Sequence, residues 1–89
     1  MAILQFPAIL QRFTERAELS IEAATVGEVL VHLQQQYPAL QAYLFDASQQ
    51  LSSFISIYLN GQDIRFLNQL HTPISRDDIL MLVPAMAGG

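Results

Sequence analysis

Cysteine is absent from the sequence, which removes disulfides, thiolate metal ligands and a cysteine nucleophile together. Any sulfur chemistry here must therefore use sulfur supplied from outside. Lysine is absent as well: the four cationic side chains are all arginines, set against eight carboxylates for a net charge of −4. No basic stripe exists to neutralise phosphates, so a nucleic-acid ligand is not expected. Without a lysine ε-amine the chain also cannot receive an isopeptide-linked modifier. Glycine occurs only at positions 27, 61, 88 and 89, so no glycine-rich phosphate loop is present. The longest apolar run, Ile79 to Ala87, is about half of a bilayer span. The opening MAILQFPAILQRF lacks a basic n-region and is broken by Pro7, unlike a signal peptide. A cytoplasmic protein that engages neither nucleic acid nor membrane is expected.

What is present is apolar. Hydrophobic residues make up 52% of the chain and charged residues 13%, the latter low against a usual ~25%. At 89 residues the chain is one domain, able to hold a core but too small for a deep internal active site. Ala2–Phe6 reads as a first strand ended by Pro7, and 7–14 as a turn or short loop. In 17–23, Leu19 and Ile21 alternate with Glu18, Ser20 and Glu22 at the period of a half-buried strand. Thr25-Val26-Gly27-Glu28 has capping-box spacing, in which Thr25 and Glu28 satisfy each other's free amides. Val26, Val29, Leu30, Leu33 and Tyr37 then share one helical face, with Glu28, His32 and Gln35 opposite, until Pro38 stops the helix. A short helical turn over 39–45 and a polar loop over 46–50 follow. LSSFISIYL, Asn60-Gly61 and QDIRF form the strongest hairpin signal, because both central residues of a type I′ turn need positive φ. Turn residues at Thr72-Pro73 and 75–78 lead into a last strand, 79–83, whose ILMLV suits a central position. The order strand, strand, helix, hairpin, strand predicts an α+β domain: a mixed sheet of four to five strands with one main helix packed on one face.

Candidate catalytic groups do not assemble. His32 lies four residues after Glu28 on the polar helix face, where an exposed ion pair accounts for it. His71 sits in a loop, and the pair falls short of a metal site in ligand number and spacing. Ser75, His71 and Asp77 crowd one turn-rich segment without a nucleophile elbow or oxyanion donors. Two aromatics, Phe54 and Tyr58, are expected either to be covered by loops or the 39–45 segment or to form a protein-docking patch. Phe54 and Tyr58 lie opposite Ile55, Ile57 and Leu59 in the strand pattern, and Leu80 and Leu82 are expected to extend the same patch.

The end of the sequence, LVPAMAGG, reads either as a frayed terminus or as the place where the chemistry is expected. No charged side chain follows Asp78, and Ala85, Met86, Ala87, Gly88 and Gly89 are small or uncharged. Extended, they span about 17 Å. A stalk with so few side chains threads a narrow channel where a Cβ would clash. Residues 1–84 are thus expected to form the domain and 85–89 a flexible diglycine tail presenting the Gly89 carboxylate.

The segments TVGEVLVHLQQQYPAL, LNGQDIRFLNQLHTPI and DDILMLVPAMAGG together resemble the MoaD/ThiS superfamily of ubiquitin-like sulfur carriers, which have a β-grasp fold. Among them NG-x-DIRFL followed by L-x-TP is closest to the CysO-type branch. Three stretches depart from that pattern. Ser75-Arg76 stand where relatives often have Asp-Gly, Asn68-Gln69 where a glycine-containing turn is expected, and His71 where an acidic residue is usual. The resemblance implies a protein co-substrate, not an enzyme. It implies that a MoeB/ThiF-like adenylyltransferase uses ATP to adenylate the Gly89 carboxylate, and that a sulfur donor protein converts it to a thiocarboxylate. An acceptor enzyme then takes the sulfur: in the CysO-like case a pyridoxal-phosphate-dependent cysteine synthase of the CysM kind, with a Mec-type metalloprotease later releasing cysteine. No cofactor or metal is expected on the carrier. The alternatives are the small subunit of molybdopterin synthase, and a β-grasp binding module whose diglycine is never activated.

Overall fold

In the computed structural model the last strand lies at the centre of the sheet, as its apolar sequence requires. Residues 1–48, 50–52 and 54–84 are described. The strands are β1 (Ala2–Gln5), β2 (Glu18–Ile21), β3 (Ile55–Leu59), β4 (Gln62–Asp63) and β5 (Ile79–Pro84). They form one mixed sheet in the order β2-β1-β5-β3-β4. Strand β5 runs parallel to β1, with Ile3 opposite Ile79 and Gln5 opposite Met81. It runs antiparallel to β3, with Ile57 opposite Leu82 and Tyr58 opposite Met81. The helices are α1 (Ala8–Thr14), α2 (Val26–Gln36) and α3 (Gln41–Leu44), with 3-10 turns at Pro38–Leu40, Ile64–Phe66 and Gln69–His71. This is the β-grasp arrangement.

Helix α2 forms where the capping residues place it. Thr25 Oγ1 accepts from the Glu28 amide at 3.3 Å. The Glu28 carboxylate reaches one residue further back than the expected reciprocal bond, accepting from the Ala24 amide at 3.3 Å. The buried face, Val26, Val29, Leu30 and Leu33, matches the predicted stripe. It joins Leu4, Leu19, Ile21, Ile57, Leu59, Leu80 and Leu82 of the sheet in one core cluster, with Tyr37 packed at its edge. Apolar burial of this kind supplies the main driving force for the fold.

Residues 7–14, expected to be a turn, are largely helical. Pro7, at φ −69°, sets the entry to α1, and Leu10 and Thr14 are buried on one side of it. Spaced four apart, those two residues fix a short helix over the end of the core. The chain leaves α1 through Glu15 in the left-handed region, whose amide donates to the Gln11 carbonyl at 2.7 Å.

The hairpin turn is as expected: Asn60 and Gly61 have φ of 50° and 89°. Its second arm is shorter than QDIRF, because Asp63 ends the ladder and caps the following 3-10 turn by accepting from the Arg65 amide at 2.9 Å. The Asn60 side chain also ties the turn to the start of β5, accepting from the Ile79 amide at 2.9 Å and donating to Asp78 at 3.0 Å.

Candidate functional site

The candidate site is the end of β5 and the surface around it. The predicted tail, Ala85, Met86, Ala87, Gly88 and Gly89, lies outside the described residues. The last described residue, Pro84, pairs with Ile55 at the start of β3. The point at which the chain leaves the described residues is thus a fixed position on the sheet.

Alternation along β5 divides its side chains. Leu80 and Leu82 are each 1% exposed, directed into the core beneath α2, whereas Ile79 and Met81 are 41% and 44% exposed. The expectation that Leu80 and Leu82 extend a docking patch is corrected on this point. Because the register sets Tyr58 opposite Met81, the outer face takes the other parity of β5. Leu80 and Leu82 share the inner face with Leu59 and Ile57, their partners across the ladder. A strand apolar on both parities gives no sign of which set faces inward, so the sequence pattern missed Ile79, Met81 and Val83. The hairpin supplied the missing signal: once Ile57 and Leu59 face inward, the residues opposite them on β5 do so too.

Tyr58 does lie on the outer face, half-buried, in an open groove of about 520 Å³ with Gln5, Ile79, Met81 and Val83. Phe54 is separated from it. Preceding β3 rather than lying within it, Phe54 is 67% exposed and faces a second groove with Ile9, Tyr43 and Pro84. The two predicted aromatics therefore flank the tail's point of departure from different sides. A strip formed by Phe6, Pro7, Met81, Val83 and Pro84 runs between them.

Opposite Tyr58 across the hairpin lies Asp63, 7% exposed, whose carboxylate meets the Arg65 guanidinium at 2.6 Å. The side-chain hydrogen bonds from Arg65, then the bond from its amide, hold this carboxyl below the ordinary carboxylate range. Arg65 Nη2 also donates to Ser56 Oγ at 3.4 Å, which links the pair to the outer side of β3. Among the described residues no group of three or more metal-ligating side chains converges, and no helix is long and apolar enough to cross a membrane. Among the described residues, the side chains of Ser75, His71 and Asp77 form no hydrogen bond with one another. Asp78 instead organises that turn, accepting from the Ser75 amide at 2.7 Å.

Comparison with known proteins agrees with this geometry. The ThiS family model matches residues 4–89. The sulfur carrier protein CysO of Mycobacterium tuberculosis is 34% identical over 89 residues, covering 97% of this chain and 96% of that protein. The Amycolatopsis orientalis BexX/CysO complex contains a chain that superposes with a TM-score of 0.88 at 29% identity, with full coverage of both chains. The small archaeal modifier protein 1 of Methanosarcina acetivorans superposes with a TM-score of 0.90 at 29% identity, over 99% of this chain and 95% of that one.

Proposed function

The chain belongs to the ThiS family and is a sulfur carrier of the CysO/ThiS/MoaD type rather than an enzyme, and from that premise we propose that its Gly89 carboxylate is converted to a thiocarboxylate that delivers sulfur for cysteine synthesis. The observation that carries the reading is the fixed position of Pro84, with an apolar outer face beside it and only uncharged residues, small except for Met86, after it. A carboxylate is a poor electrophile, so a MoeB/ThiF-like adenylyltransferase first joins it to the α-phosphate of ATP and releases pyrophosphate. Hydrosulfide released by a donor protein then attacks the acyl carbon, the C–S bond replaces the C–O bond to the phosphate, and AMP leaves. The thiocarboxylate so formed is a soft nucleophile on a tether. An acceptor that encloses it gains the advantage of an oriented, effectively intramolecular reactant over free sulfide.

The carrier contributes docking and reach. Tyr58, Ile79, Met81 and Val83 form the outer apolar surface, and Ala85 to Gly89 supply about 17 Å of extended chain. Aromatic residues and methionine are enriched in the cores of protein interfaces. The Amycolatopsis relative was solved in a complex with BexX, in keeping with a carrier that works through partner proteins. The acceptor in this reading is a pyridoxal-phosphate-dependent cysteine synthase of the CysM kind, with a Mec-type metalloprotease releasing the product. The resemblance of NGQDIRFL to the CysO-type branch supports that choice.

Incubation with the adenylyltransferase, ATP and a sulfide source is expected to shift the intact mass by one oxygen replaced with sulfur. An unchanged mass under conditions that convert a known carrier overturns the proposal. One residue added after Gly89 is expected to abolish the shift. Capture with the thiocarboxylated chain then identifies the acceptor: cysteine synthase supports the cysteine branch, and a molybdopterin synthase large subunit replaces it.

A further inference from the structure

The two edges of the sheet differ. On one side β4 has only two residues before Asp63 leads into a 3-10 turn, so that edge is blunted. On the other side β2 is outermost, without a proline, and its register with β1 is unbroken from Ala2 opposite Ile21 to Gln5 opposite Glu18. Just beyond this ladder the Phe6 amide donates to the Ala17 carbonyl at 2.8 Å. Alternation from that bond turns the N–H and C=O groups of Leu19 and Ile21 toward β1, and those of Glu18 and Ser20 outward. Glu18 and Ser20 are exposed, and no backbone group among the described residues pairs with their outward N–H and C=O.

Charge selects what can pair there. Residues 15–22 carry three carboxylates, Glu15, Glu18 and Glu22, against the single guanidinium of Arg16. None of these forms an ion pair among the described residues. Glu18 instead accepts from Gln5 Nε2 at 3.3 Å, which holds its carboxylate beside the ladder. A second copy paired antiparallel about Ser20 sets Glu18 against Glu22 at both ends, and like charges directly opposite are destabilising. A cationic strand in the same register meets attraction at both positions. We propose that the outer edge of β2 is a strand-addition site for an extended, cationic segment of a partner protein, paired antiparallel, with arginine or lysine side chains opposite Glu18 and Glu22. Main-chain bonds to Glu18 and Ser20 supply the pairing and the two carboxylates supply selectivity. The site stands apart from the thiocarboxylate reading, because β1 separates β2 from β5.

The test is an NMR titration of the full chain with a capped nonapeptide of threonines carrying arginines at its third and seventh positions. Saturating peptide is expected to slow hydrogen exchange at the Glu18 and Ser20 amides at least about tenfold, and binding to weaken as salt is raised. Glu18→Gln combined with Glu22→Gln is expected to raise Kd about fivefold, as loss of two exposed ion pairs does. Ser20→Pro removes one outward N–H where an edge strand tolerates proline, and is expected to abolish binding in a chain that thermal melts show to be folded. N-methylation of the peptide's central residue removes the reciprocal bond to the Ser20 carbonyl without altering the protein, and is expected to have the same effect. Undiminished affinity for the N-methylated peptide overturns strand addition. Equal affinity for a peptide with glutamates in place of the arginines overturns the cationic partner, and no binding at about 1 mM peptide overturns the site outright. Sedimentation of the chain as a dimer that Ser20→Pro dissociates assigns the edge to a second copy and overturns this proposal.

Discussion

Asp63 carries several structural roles in one side chain. It ends β4, caps the next turn through the Arg65 amide, and accepts from the Arg65 guanidinium at 2.6 Å. Its carboxyl is held below the value of 3.8 expected without these partners. The unfolded chain therefore binds a proton more readily than the folded one as the medium is acidified. The stabilisation is present in full above about pH 4 and is lost as the pH falls through the lower, folded value. Asp63→Asn is accordingly expected to lower the melting temperature at pH 7, with the gap to the parent narrowing below about pH 4 in a pH series of thermal melts. Gln69 shows the opposite situation. It stands where a glycine-containing turn was expected and adopts φ of 53°, so the backbone keeps the left-handed turn although the residue is not glycine. A left-handed non-glycine residue costs about 1–2 kcal/mol, of which part is offset by the greater freedom of glycine in the unfolded chain. Gln69→Gly is expected to stabilise by up to about 1 kcal/mol in urea titration; a loss of stability would mean that the glutamine side chain holds the turn.

At the scale of elements, β5 separates packing from docking by parity. Leu82→Ala is expected to cost about 2–5 kcal/mol in chemical denaturation, since it opens a cavity beneath α2. Met81→Ser, one residue away on the outer face, is expected to change stability by about 0.5 kcal/mol or less while weakening adenylation. The same strand shows how far sequence reasoning reaches. Helix α2 was legible because its cap, periodicity and terminating proline agree, and the hairpin because Asn60-Gly61 demands its turn. The central place of β5 followed from its apolar composition. Its inner and outer faces did not, because ILMLV is apolar on both, and only pairing with β3 distinguishes them. Helix α1 escaped notice for a related reason: seven residues behind a proline are too few to display a period, and contact of Leu10 and Thr14 with the core decides the conformation. The separation of Phe54 from Tyr58 was hidden because alternation holds only within a strand, and Phe54 precedes β3.

Across the whole molecule, the parallel pairing of β1 with β5 sets Met1 and Pro84 at opposite ends of the sheet. Met1 adjoins the start of β5, its carbonyl accepting from the Asp77 amide at 3.4 Å. A folded protein joined before Met1 is therefore expected to leave the rate of adenylation within about twofold of the parent in the pyrophosphate-exchange assay, a change worth less than 0.5 kcal/mol. A loss of activity on such fusion would mean that the partner also contacts the Met1 end. Parallel pairing also determines how the molecule bears force. A partner drawing the tail away from Pro84, against an anchor at Met1, pulls β1 and β5 along their common axis in opposite directions. The hydrogen bonds of that central ladder are then stretched together in shear instead of opening one by one from an end. A pull along the exit direction of β5 thus meets the sheet along its mechanically strongest line.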